Sequence, residues 1–139
     1  SLNLYEGLLL ENNKKFNLIS KSTENILKTR HILDSAQAID FIDKSSKICA
    51  DLGTGAGFPG IVLSILFKER KYPIRIDLYE KSPKKCLFLS KIVNYIAITI
   101  GDINGIGIEI FIKLLVFCRS ASKEPPVNEL QNKVKPIIT

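Results

Sequence analysis

Two carboxylates bracket a run of glycines in this chain. Asp51 opens the stretch Asp51-Leu-Gly-Thr-Gly-Ala-Gly-Phe-Pro-Gly60, and Glu80 closes Ile74-Arg-Ile-Asp-Leu-Tyr-Glu80. Gly53, Gly55 and Gly57 carry no side chain that would hold a ligand off the backbone. Pro59 pre-sets φ for a first helical turn, where its missing N–H costs little. The spacing therefore predicts a turn that aims free backbone N–H groups beyond the end of a strand, as in a nucleotide-type site. Gly55-Ala-Gly57-Phe-Pro-Gly60 satisfies G-x-G-x-x-G, a weak signal by itself. Asp51, ahead of the first glycine, would repel a pyrophosphate and suits a ligand carrying a cationic amine or sulfonium. An acid at position 80 can accept both hydroxyls of a ribose. A glycine-rich turn with no ligand is the competing reading. The strand, the helix and the second acid together speak against it.

The elements that must place these residues read as an alternation. Ile48-Cys-Ala and its neighbours (48–52) form a strand, 59–70 a helix, 74–79 a strand and 83–94 a helix, with a further strand at 96–100. Ser82 and Pro83 supply the cap and first position of the second of these helices. This βαβαβ order implies an α/β fold with a parallel sheet and right-handed crossovers. Ahead of it, Leu2 to about Phe16 is an amphipathic helix with apolar positions at Leu4, Leu8 and Leu9. Asn17 to Ser20 is extended, Ser22-Thr-Glu-Asn starts a helix for Ile26 to Arg30, and another helix runs from Ile32 through Ile42. Asp43 to Lys47 is a loop. Gly101, Gly105 and Gly107 then interrupt regular structure, Phe111 to Cys118 reads as another strand, and Asn128 to Lys135 as a short helix. A single domain is expected over 1–139, with a helical part at 1–46 and the α/β core at 47–139.

Composition sets the class. The chain has 139 residues, 45% hydrophobic and 24% charged, ordinary for one soluble domain, with no apolar run of membrane-spanning length. Cys49, Cys86 and Cys118 are odd in number, far apart and in apolar contexts, so free thiols in a reducing cytoplasm are expected and a zinc site is not. A net charge of +6 leans toward a polyanionic partner. Lysines spread along a chain rich in Ile and Asn fit genomic bias equally well. Of the clusters Lys68/Arg70/Lys71 and Lys81/Lys84/Lys85, only the second lies near the presumed site.

D-x-G-x-G-x-G followed by an acid on the next strand resembles motif I of the class I S-adenosylmethionine-dependent methyltransferases, which have a Rossmann-like sheet. The N-terminal half narrows this. Asn13-Lys-Lys-Phe-Asn-Leu18, Arg30-His-Ile-Leu-Asp-Ser35 and the Phe-Pro-Gly ending of the glycine loop resemble, in order and spacing, the bacterial RsmG (GidB) family. Lys84-Lys-Cys-Leu-Phe-Leu89 and Cys118-Arg-Ser-Ala121 fit the same family. The resemblance implies methylation of N7 of a guanine in 16S ribosomal RNA, with S-adenosylmethionine as methyl donor and the small ribosomal subunit as partner. Carried over position by position, its cofactor contacts fall on Gly53, Phe58, Arg119 and a pair after the third strand, aligned with Ile103-Asn104. That pair departs from the basic-then-acidic residues usual in the family. Members of the family also continue through further strands, so the C-terminal strands are expected to be missing here.

Asp51, Gly53, Gly55, Phe58, Glu80, Ile103, Asn104 and Arg119 are thus the candidate cofactor residues. Arg30, His31, Lys84 and Lys85 are the candidate RNA contacts, and no catalytic residue is assigned. His31, the only histidine, is either an RNA contact or a helix-start residue bonded locally. Arg119, at the end of a strand, would face the ligand crevice of a parallel sheet. Glu124-Pro-Pro-Val127 lacks both the amide and the aromatic ring of amino-directed methyltransferases and reads as a rigid loop. A methyltransferase for another substrate, a non-catalytic remnant that binds cofactor or RNA, and a NAD-binding dehydrogenase are the rivals. Asp51 opposes the last. A monomer is expected.

Overall fold

The computed structural model describes residues 2–100 and 112–116. α1 (Leu2–Phe16) buries Tyr5, Leu9 and Asn13, a stripe at i, i+4 and i+8. The buried stripe is thus one position away from the Leu4 and Leu8 that hydropathy alone picks out. Asn13 is a structural hub. Its Oδ1 accepts the N–H groups of Leu18 and Ile19 at 2.7 and 2.9 Å, and its Nδ2 donates to the Ile19 carbonyl and to Glu24. It ties the end of α1 to the segment behind it, where Asn17 takes a left-handed φ of 51°.

From Lys21 to Phe41 the chain stays helical but changes pitch. A 3₁₀ turn (Lys21–Ile26) gives way to a π turn (Lys28–Leu33), then to α2 (Asp34–Gln37), and closes in a 3₁₀ turn (Ala38–Phe41). The two expected helices are one run, because nothing between Arg30 and Ile32 breaks the backbone.

β1 (Ile48–Leu52), β2 (Arg75–Glu80) and β3 (Ile112–Val116) form a parallel sheet in the order β1-β2-β3. Ile48 stands against Arg75 and Leu52 against Tyr79; on the other side Ile76 stands against Ile112 and Glu80 against Val116. α3 (Gly60–Glu69) and α4 (Pro83–Ile100) are the crossovers. α3 is apolar on all sides, with Ile61, Val62, Leu63, Ile65 and Phe67 buried, because it packs between β2 and α2. It stops at Lys71 (φ 57°), whose N–H reaches the Lys68 carbonyl while that of Tyr72 reaches Phe67. This is the arrangement glycine usually closes, built here on a lysine.

One expected element is corrected. Residues 96–100 are not a strand; they are the last turns of α4. The β-branched run Ile96-Ala-Ile-Thr-Ile100 reads as a strand locally, but Leu89, Ile92 and Ile96 are buried at helical spacing, so packing carries the helix through. The third strand is instead β3, inside the 111–118 segment. Helices flanking a small parallel sheet make this part of a Rossmann-like arrangement. One continuous core joins Tyr5, Leu9, Leu27 and Ile39 of the N-terminal helices to Ile61, Phe67, Leu78, Phe88 and Leu89. Each such side chain contributes about 1.5–3 kcal/mol on leaving water.

Candidate functional site

Register places Asp51 and Glu80 at the carboxyl ends of neighbouring parallel strands, with the glycine loop between them. Such a strand end is where a parallel sheet opens a crevice to ligands. The loop departs from expectation in one respect. Six of its N–H groups do not point outward; they are consumed inside the fold. Gly53 and Thr54 both donate to the Tyr79 carbonyl, at 2.8 and 3.1 Å, while Gly57 and Phe58 both donate to Thr54. Gly55 donates to Glu80 Oε2 at 2.8 Å, and Gly60 to Asp51 Oδ2 at 2.9 Å. The anion cradle that the glycine spacing suggests is closed from within.

Each carboxylate therefore has a structural duty at its strand end, and Glu80 also lines the groove beside the loop. Glu80 Oε1 accepts the N–H groups of Lys81 and Ser82, at 2.9 and 2.8 Å, at the entry to α4. With Gly55 on Oε2, this buried carboxylate binds the loop, the strand end and the next helix together. Asp51 holds the first N–H of α3, where a negative charge is favourable. Burial pushes the Asp51 carboxyl above its ordinary value and the charge of Glu80 adds to this, while the Thr54 hydroxyl and the Gly60 N–H oppose it. Thr54 Oγ1 itself is buried without a partner at hydrogen-bonding geometry. Asp77, the other acid of β2, is paired with Arg75 at 2.9 Å and is not free for a ligand.

Two glycines are fixed by this geometry. Gly57 has φ +106°, and a Cβ there would overlap Ile61 and come within 3.0 Å of the Tyr5 hydroxyl oxygen. A Cβ at Gly60 would strike Leu78 and lie 2.7 Å from Asp51 Oδ2. By contrast, a Cβ at Gly53 would meet nothing within 4 Å. That open space belongs to a groove of about 480 Å³ lined by Gly53, Tyr79, Glu80, Lys81 and Lys85.

The N-terminal helices reach the loop from the other side. The buried Tyr5 hydroxyl donates to the Ala56 carbonyl at 2.8 Å, and its ring tilts against Phe58 at 5.5 Å. His31 stacks on Phe58, centroids 5.1 Å apart, and its Nε2 lies 3.0 Å from Thr23 Oγ1. The structure thus brings His31 to the glycine loop, where it packs on an expected cofactor residue. Lys85 lines the groove, whereas Lys84 and Arg30 are exposed and are not among its lining residues. Arg119, Ile103 and Asn104 lie outside the described residues. The pair at 103–104, expected after the third strand, precedes β3 in the chain, because the third strand is 112–116 and not 96–100. Sequence reasoning missed Tyr5 and Tyr79. Tyr5 left one signal, its place four residues before Leu9. Tyr79 acts through its carbonyl and left none.

Comparison with known proteins gives the family. The family model described as "GidB: rRNA small subunit methyltransferase G" matches residues 1–104. A Pelagibacter ubique protein named ribosomal RNA small subunit methyltransferase G is 46% identical over 91 residues, 64% of this chain and 43% of its own length. Proteins of the same name from Bartonella tribocorum and Rickettsia akari are 37% and 36% identical over 97% and 98% of this chain, covering 63% and 68% of their own lengths. The chain therefore spans less than two thirds of the first two of these three relatives. No solved structure matches it significantly. A family model covering well over half of the chain, together with these relatives, means that the chain belongs to the GidB family of rRNA small subunit methyltransferases.

Proposed function

We infer that this chain is a class I S-adenosylmethionine-dependent methyltransferase that methylates N7 of a guanine in 16S ribosomal RNA. The observation that carries the reading is a glycine loop with inward-turned N–H groups held between two carboxylates. A pyrophosphate finds few donors there and two negative charges, which speaks against a dinucleotide cofactor. A ligand with an ammonium at one end and a ribose at the other suits both acids, and the open space beyond Gly53 leaves room for it.

Asp51, at the end of β1, would pair with the donor's ammonium through the carboxylate oxygen that its bond to Gly60 leaves open. Glu80 would accept a ribose hydroxyl on the Oε2 lone pair that Gly55 leaves open, Oε1 being held by Lys81 and Ser82. Gly53 and Phe58 are contacts that the family resemblance also indicates; Arg119 rests on that resemblance and on its expected place at a strand end. When bound, S-adenosylmethionine supplies a sulfonium methyl group open to in-line displacement. Guanine N7 carries a lone pair and no proton at neutral pH, so no general base is needed before attack. The protein's share is orientation and electrostatics, which are large terms in their own right. Arg30 and Lys84, exposed and next in the chain to His31 and Lys85, would hold phosphates of the RNA in the cytoplasm, where small subunits are found.

The test is cleavage at the modified base. Small subunits incubated with the chain and donor, then treated with borohydride and aniline, should show a new RNA strand break at one guanine. If a folded, donor-bound sample gives no break on unmodified subunits, the chain is a ligand-binding member of the family without this activity.

A further inference from the structure

Lys85 stands apart from the other lysines around the site. It is half-buried on the first turn of α4, and its Nζ lies 4.0 Å from the point a Cβ on Gly55 would occupy, a point that is also 3.8 Å from the Gly53 carbonyl oxygen. It lines the groove with Gly53, Tyr79, Glu80 and Lys81. Among the described residues no carboxylate stands within ion-pair distance of it, although Glu80 lines the same groove. Three backbone N–H groups already serve the Glu80 carboxylate. A cation held in a groove, next to an acid whose lone pairs are mostly taken by backbone N–H groups, is a cation kept for an anion from outside.

We propose that Lys85 binds the carboxylate of the donor's amino-acid end and is a cofactor residue, not an RNA contact. This rests on the reading of the groove as a methyl-donor site. The donor is a zwitterion at that end, with one ammonium and one carboxylate on the same carbon. Asp51 matches the first and repels the second, so the carboxylate needs a separate cation by the loop. Lys85 is the lysine whose ammonium reaches the loop, and Lys81 the other cation of the lining. An RNA phosphate is the less suitable anion, because a polymer backbone would have to enter a groove lined by Glu80, at the strand end next to that of Asp51, with no ammonium of its own to offset these acids.

Calorimetric titration of S-adenosylmethionine and of its decarboxylated analogue, into the chain and into Lys85→Met and Lys85→Arg, tests this. Loss of one charge-assisted contact should weaken S-adenosylmethionine by about ten- to a hundredfold in Lys85→Met. The decarboxylated compound should bind both proteins within about twofold, and its binding also shows that the variant is folded. Lys85→Arg should retain most of the preference for the carboxylate. Equal weakening of both compounds would place Lys85 on the adenosine half and overturn the assignment, as would no weakening of either; both results leave the donor site itself standing. If neither compound binds the unaltered chain, the donor-site reading falls and this one with it.

Discussion

Asp51 does two things whose pH dependences have opposite signs. Burial holds its carboxyl above the ordinary value, so the folded chain binds that proton more tightly than the unfolded chain does. Stability from this group is therefore lost as pH rises from the unfolded value through the raised folded one. Donor binding needs the charged form, so affinity is lost as pH falls through the same window. Asp51→Asn separates the two effects, since an amide oxygen can still accept the Gly60 N–H. We expect this variant to melt higher than the parent above the window and to match it below the ordinary carboxylate range. Its donor affinity should be about ten- to a hundredfold weaker near neutrality and nearly independent of pH across the window. Calorimetry across pH reads both quantities. A variant that binds donor as well as the parent at neutral pH would remove Asp51 from the ammonium site.

At the scale of elements, the loop is held from two directions. β2 grips it through the Tyr79 carbonyl and Glu80, and α1 grips it through Tyr5. Burial, with the Asp51 charge adding to it, pushes the Tyr5 phenol well above its ordinary value, so it remains a donor at any working pH. Tyr5→Phe keeps the ring against Phe58 but leaves the buried Ala56 carbonyl without its partner. Urea unfolding should register a loss of about 1–3 kcal/mol. Donor affinity should fall with it, because the loop is then held mainly from the sheet side. Unchanged stability and affinity would mean that β2 alone sets the loop. The His31–Phe58 stack belongs to the same contact between helices and loop, which explains why Arg30-His-Ile-Leu-Asp-Ser35 accompanies the glycine motif in this chain.

For the molecule as a whole, charge is the property that a large partner meets first. A net charge of +6 on 139 residues is unevenly useful. Lys85 is committed to the groove, while Arg30 and Lys84 are free to meet phosphates from an exposed position. Affinity for a 16S fragment should fall steeply with salt, with a log–log slope of about −2 for some three phosphates neutralised on single-stranded RNA. Arg30→Ala and Lys84→Ala should each make that slope shallower by about 0.7. Filter binding across a salt series measures it, and a flat dependence would assign the basic composition to genomic bias.

The glycine loop, both acids, β1, α3, β2 and the start of α4 were legible in the sequence because their causes are local. Glycine spacing, a proline at a helix entry and short apolar runs act within a few residues of where they are read. The family, too, was legible, through motifs that fall before residue 90. What tertiary structure decided has partners distant in the chain. The loop's N–H groups turn inward because the Tyr79 carbonyl and Glu80, on a neighbouring strand, receive them. Residues 96–100 follow the buried stripe of α4, against their β-branched composition, because packing along a long helix outweighs local preference. Lys84 and Lys85 are chemically identical neighbours in the sequence. One helical step of about 100° separates them, and that rotation alone sends one to the exposed surface and the other into the groove.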